Sequence, residues 1–345
     1  MKNEMIRVFD ESFRYVGICD DYSYLNYKKC FQEAGDLTMR VVYTRANFAL
    51  YTSCAYLVVP DGQCFAVDAI YSDGEEITVK GRDLLCLFER AVWSTEQALT
   101  ARAEEILATL ATSAAEVLPL TLQVASNGAG EEVTYDALPG CTYRLMQEVA
   151  TVFGRGMALS YDFSTETLVF TAYAPSDRTA AQRERGPLIL GRERENLAEE
   201  YYAVDRSAYC NGAVVVGEDS NGSLVAVTVP APAGEPPRYL YCPAKNIRRT
   251  QYYTEAAFLQ TLTRVGTNAL VARGPRFTYT AVLNPHGETA VQPGDRVSVA
   301  ALWGGALFEA VIASVETLYD RGSYSRRVVA GTVLPTFSHI LGDKA

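Results

Sequence analysis

The sequence predicts a mainly β protein with an α+β insert, and three observations carry that prediction. Turn residues recur between short, alternating apolar stretches over residues 5 to 95 and again beyond 187. Apolar residues at helical spacing are confined to a stretch after Gly81-Arg82, a middle block and one later segment. Finally, the chain holds 22 tyrosines against 13 phenylalanines and 2 tryptophans. Tyrosine among many Val and Thr suits half-exposed sheet surfaces and subunit interfaces.

The elements follow in order. Met5–Phe9 alternates and runs into Asp10-Glu11-Ser12, and Tyr22–Tyr27 keeps period two. Gly35–Val42 reads as a further strand. Leu57–Val59 meets Pro60-Asp61-Gly62, where Pro presets φ and Gly accepts a positive φ. Cys64–Ile70 and Glu76–Lys80 flank Ser72-Asp73-Gly74 as hairpin partners, and the Gly81-Arg82 turn then opens an amphipathic helical stretch ending at Arg90 and Trp93. Such short strands predict a small sandwich or barrel over 1–95. A helix is expected from Ser94 or Thr95 to 118, with Ile106, Leu107 and Leu110 on one side. A second covers Tyr143–Phe153, ended by Gly154, and is followed by a hairpin of Met157–Asp162 with Thr167–Thr171. This gives an α+β domain over 96–186, whose end, 174–187, reads as a linker or long loop. Residues 187–345 form a second β region. It contains Ala213–Gly217 paired with Leu224–Val229, a helix over about 254–271 with Phe258, Leu259, Leu262 and Val265 on one face, and strands at Phe277–Leu283, Arg296–Ala300, Ala310–Val315 and Ser325–Val333.

At 345 residues the chain exceeds one simple core, so two or three domains are expected. With 48% hydrophobic and 21% charged residues it is not a disordered chain. A formal net charge of −10 argues against a protein that grips phosphates. The N-terminus has no apolar signal region, and no run reaches the ~20 apolar residues of a membrane span, so a soluble protein made in a cytoplasm, with no stable membrane association, is expected.

Motifs for chemistry are few. GxSxG, HExxH and a Walker A loop are absent. Gly154-Arg155-Gly156 follows a helix rather than a strand and lacks a third glycine, so it is not read as a cofactor loop. The eight cysteines, Cys19, Cys30, Cys54, Cys64, Cys86, Cys141, Cys210 and Cys242, include no CxxC pair and read as small buried hydrophobes. His286 reads as an exposed turn residue and His339 lies near the C-terminus. The pairs Glu75-Glu76 and Glu199-Glu200 read as solvated charge, because adjacent side chains on a strand point to opposite faces. Asp219-Ser220-Asn221-Gly222 lacks the spacing of a calcium loop and reads as a hairpin turn. The expectation is no catalytic residue, no cofactor and no metal.

Several passages resemble siphophage tail hub proteins, the baseplate-hub-like proteins of the tail tip. They are Ile77-Thr78-Val79-Lys80-Gly81-Arg82-Asp83-Leu84-Leu85 with the Arg90 segment, Tyr209–Gly217, the Thr254–Val271 helix, Val291-Gln292-Pro293-Gly294-Asp295-Arg296-Val297-Ser298-Val299, and Ala310–Glu316. The resemblance implies two antiparallel β-barrel-like domains flanking the small α+β domain, assembled as a homotrimeric ring. That ring would join the tail tube to the tip and let DNA and tape-measure protein pass. Its partners would be further copies of itself, the distal tail protein, tail tube proteins, the tape-measure protein, and DNA in transit only. Larger family members carry a C-terminal lytic or receptor-binding extension, which this chain is expected to lack. The alternative is a tail-associated cell-wall hydrolase using an acidic residue pair.

Overall fold

The computed structural model describes residues 4–115, 122–126, 130–184, 186–274, 276–284, 290–300 and 307–331. The protein is mainly β. It divides into two compact units, one holding the chain up to Tyr202 together with Tyr279–Gly331, the other Ala203–Thr278. These units differ from the expected cuts at 95/96 and 186/187, for reasons that lie in strand pairing and shared core.

The first unit begins with β1 (Ile6–Phe9), β2 (Tyr15–Cys19), β3 (Tyr22–Cys30), β4 (Asp36–Val42), α1 (Arg45–Thr52), β5 (Tyr56–Val58), β6 (Cys64–Ser72) and β7 (Glu76–Asp83). The strands pair antiparallel in the order β3-β4-β7-β6-β5-β1-β2. The expected β6–β7 hairpin is present. Alternation sets the faces: Leu37, Met39 and Val41 are buried while Asp36, Arg40 and Val42 are exposed. The inward set packs with Ile6, Leu25, Leu57, Phe65, Ile77 and Val79, and Tyr51 of α1 joins it. Each such side chain taken from water contributes about 1.5–3 kcal/mol. Thr44 caps α1 by accepting from the Asn47 amide.

The stretch after Gly81-Arg82 is a 3₁₀ helix, Leu84–Arg90, not the expected amphipathic helix. All of Leu84–Phe88 is buried, which no one-sided helix allows. These residues pack with the next block: β8 (Val92–Trp93), β9 (Gln97–Arg102), α2 (Ala103–Ala114), β10 (Leu122–Ser126), β11 (Glu132–Ala137), β12 (Gly140–Cys141), α3 (Thr142–Val152), β13 (Gly156–Asp162) and β14 (Thr167–Tyr173). Leu84–Phe88, Ile106, Leu107 and Leu110 of α2, Met146 and Val149 of α3, and Leu159 and Phe170 of the β13–β14 hairpin share one core. A boundary at 95/96 would cut through it. The helix expected from 94 or 95 starts at Ala103, because Gln97–Arg102 pairs antiparallel with β11 and ladder hydrogen bonds outweigh helix propensity there. Beyond this block, β15 (Ser176–Asp177) and β16 (Ile189–Leu190) lie within the stretch read as a linker and at its edge, and β17 (Leu197–Asp205) follows.

The second unit is a three-stranded sheet under one helix: β18 (Gly212–Glu218), β19 (Leu224–Val229), β20 (Tyr239–Arg248) and α4 (Glu255–Val271). The β18–β19 hairpin is antiparallel, as expected, whereas β20 joins β18 in parallel. Thr254 caps α4, accepting from the Ala257 amide at 3.1 Å. Phe258 and Leu262 are buried on the sheet side. Gly266 has a packing reason: a Cβ there would stand 2.7 Å from Val215 Cγ2 and 2.8 Å from Val229 Cγ2.

The chain then returns to the first unit through β21 (Arg276–Leu283), β22 (Asp295–Ala300), β23 (Leu307–Asp320) and β24 (Ser323–Gly331). β23 pairs antiparallel with both β24 and β3, so Ser314 faces Cys30 and Leu318 faces Asn26. The first and last strands therefore belong to one sheet, with β2 at one end of its order and β17 at the other. β22 pairs antiparallel with β23 and in parallel with β15 and β16, which fixes part of the supposed linker.

Candidate functional site

The Ile77–Leu85 motif is a structural joint. β7 crosses β6 so closely at Gly81 that a Cβ would lie 2.5 Å from the Ala66 carbonyl oxygen. Arg82, on the outer face, pairs with Asp68 at 2.8 Å and with Glu89 at 3.1 Å. Asp83 points inward and is buried. Its carboxylate accepts from the Leu85 amide at 2.9 Å, capping the 3₁₀ helix, and from Gln63 Nε2 at 2.7 Å. Its own amide donates to the Gly35 carbonyl at 2.8 Å. Burial pushes the carboxyl up to about 6, opposed by the two hydrogen bonds and by Lys29. A raised carboxyl pKa marks many catalytic acids. Here the group is spent on a turn and a neighbouring loop, and so joins three segments.

The other candidates take structural places. Glu75 is exposed at the β6–β7 turn, and the adjacent Glu76 accepts from Ser23 Oγ at 3.1 Å. Glu199 is exposed, while Glu200 accepts from Tyr279 Oη at 2.7 Å. The two members of each pair do not converge on one site. Asp219–Gly222 is the β18–β19 turn, with the Gly222 amide donating to the Asp219 carbonyl at 3.0 Å and Gly222 at φ 78°. Beside it is a cavity of about 370 Å³ lined by Asp219, Arg249, Glu255 and Phe258. Gly154 adopts φ 61° and ends α3. Among the described residues, no three or more His, Cys, Asp or Glu side chains converge as metal ligands. The eight cysteines are free. Five are buried, and burial pushes the thiols of Cys30, Cys64 and Cys86 up, away from the reactive thiolate. His286 and His339 lie outside the described residues. No described helix is long and apolar enough to cross a membrane.

What the structure does offer is surface. Edge strand β2 exposes Tyr15, Val16 and Ile18, and β17, at the other end of the sheet order, exposes Tyr201 and Tyr202. In the second unit, the sheet face opposite α4 carries exposed Leu224, Tyr239 and Tyr241. Exposed apolar edges and faces of this kind are what protein contacts cover. The tyrosine count anticipated such surfaces; β2 itself went unread, because its five residues include a central glycine and do not alternate between buried and exposed.

The fold has known counterparts. A tail protein from Neisseria meningitidis MC58 superimposes with a TM-score of 0.58 at 14% identity, covering 96% of this chain and 97% of that one. Prophage tail protein gp18 from Listeria monocytogenes EGD-e gives 0.55 at 13% identity, covering 99% and 98%. The 43 kDa tail protein of prophage MuSo2 from Shewanella oneidensis gives 0.55 at 13% identity, covering 95% and 98%. At such identities the likeness establishes the fold. No curated protein matches the sequence. Membership rests on the sequence itself, which matches one family over residues 5–332, all but the two ends: the chain belongs to the Siphovirus ReqiPepy6 Gp37-like protein family.

Proposed function

We propose that this protein is a structural, non-catalytic component of a phage or phage-like tail, located at the tail tip. In finer detail, it is the baseplate hub: a homotrimeric ring that joins the tail tube to the tip and leaves a passage for DNA and the tape-measure protein. The observation that carries this reading is the family match over 5–332, made alongside a fold that tail proteins share over nearly their whole length. The exposed strands β2 and β17 and the open face of the β18–β20 sheet supply surfaces for contacts with further copies and with neighbouring tail proteins. The −10 net charge suits a passage that does not hold the duplex. Electron microscopy of particles carrying a tagged copy tests the location: label at the distal end of the tail is expected, and label along the tube or at the head end contradicts it.

A further inference from the structure

The outer face of the N-terminal strands carries an uncommitted pair of cations. Tyr24 on β3 faces Arg40 on β4, Arg40 faces Thr78 on β7, and Thr78 faces Tyr71 on β6. The next row on the same face is Asn26, Thr38, Lys80 and Ala69. The alternate residues Leu25, Met39 and Val79 are buried, so these rows point away from the core. Arg40 and Lys80 are exposed. The Arg40 guanidinium lies 5.0 Å from the centre of the Tyr24 ring, and the Lys80 ammonium 5.7 Å from that of Tyr71.

Neighbouring cations are treated differently. On the same face Lys28 pairs with Glu33, Arg82 with Asp68 and Glu89, and Arg327 with Glu316. Among the described residues, Arg40 and Lys80 form no ion pair, in a chain with 41 acidic residues to choose from. A tyrosine ring holds each side chain in place without neutralising it. Side chains held in this way lose less freedom when an anion arrives.

We propose that this face docks an acidic segment of a protein partner, with two of its carboxylates pairing to Arg40 and Lys80 between the Tyr24 and Tyr71 rings. The spacing suits an extended chain. Lys80 faces Thr38, two residues from Arg40. Such diagonal neighbours stand about 7–8 Å apart, close to the roughly 6.8 Å between alternate residues of an extended strand. An Asp or Glu at every second position therefore fits both cations. Tyrosine and arginine are also the residues that interfaces favour. DNA fits less well. A duplex carries a charge every ~1.7 Å, of which two cations neutralise few, and its other phosphates would meet Glu76, Asp36 and Asp320 on the same face, whereas a protein segment with two carboxylates at alternate positions need meet only the two cations. This inference does not depend on the tail assignment.

The test uses the full-length protein with a labelled Ser-rich peptide carrying two Glu at alternate positions, and a short labelled DNA duplex, in fluorescence anisotropy. Binding of the peptide is expected at ~20 mM salt and should weaken at ~150 mM, as screening grows. The double variant Arg40→Gln/Lys80→Gln should lose about tenfold in affinity, the sum of two exposed pairs. Arg40→Lys/Lys80→Arg should keep most of it. Both positions are exposed, so the double variant should stay folded, with its melting temperature lowered by no more than a few degrees for the two lost ring contacts. The duplex should bind more weakly than the peptide. Absence of peptide binding at the lower salt, equal binding by the double variant, or tighter binding of the duplex would each overturn the proposal.

Discussion

Asn26 donates from Nδ2 to Glu316 Oε1 at 2.8 Å, a hydrogen bond between side chains 290 positions apart. It lies across the β3–β23 pairing that makes the first and last strands one sheet. Glu316 also meets Arg327 at 3.5 Å. A double-mutant cycle of Asn26→Ala and Glu316→Ala should give a coupling of about 1 kcal/mol in urea unfolding. Additive effects would mean that this bond contributes nothing to holding the strands together.

Gly81 and Gly35 should resist substitution. A Cβ at Gly35 would stand 1.8 Å from the Lys28 carbonyl oxygen, and one at Gly81 would stand 2.5 Å from that of Ala66. Both obstacles are backbone, which moves only with the strand. Each Gly→Ala change should cost about 2–4 kcal/mol by denaturant titration, with Gly35→Ala the worse. Gly74, which has nothing near its Cβ position but a φ of 94°, should cost less, about 1 kcal/mol.

Asp83 gives the fold a pH dependence of definite sign. Its carboxyl is pushed up to about 6 in the folded protein, by burial above all, against about 3.9 in an unfolded chain. The folded state therefore holds the proton more tightly. The stability from this group is fully present below about pH 4 and is lost as pH rises through about 6, a change on the order of 3 kcal/mol. Asp83→Asn keeps an oxygen acceptor for the Leu85 amide and, with Gln63 turned over, a donor for its side chain. The variant should lose the slope between about pH 4 and 6 and be the more stable protein at pH 8. Matching slopes in variant and parent would show that Asp83 does not titrate there.

The joint around Asp83 also shows where sequence reasoning reaches and where it stops. The alternation of Ile77 and Val79 identified a strand and its partner, because period two is a local property, whereas Gly81-Arg82, read as a turn, continues that strand to Asp83. That Gly81 is needed depends on Ala66 of the next strand, and that Asp83 is buried depends on Gln63 and Gly35. None of these is visible in the motif. Leu84–Phe88 mimicked an amphipathic helix because a 3₁₀ turn buried all round carries the same apolar residues. The domain cuts followed sequence order, while β23 followed β3 across the chain. α1 went unread because Arg45–Thr52 buries only Tyr51 and has little apolar periodicity. Of the surfaces, the tyrosine excess was legible. The pairing of Arg40 with Tyr24 and Lys80 with Tyr71 needed the register of four strands.

A trimeric ring at the tail tip fixes the number of copies of this chain per particle, and that number tests the ring most directly. Quantitative mass spectrometry of purified tails, calibrated against a tail protein of known stoichiometry, should return three copies of this chain per tail. One or two copies per tail would contradict the hub ring.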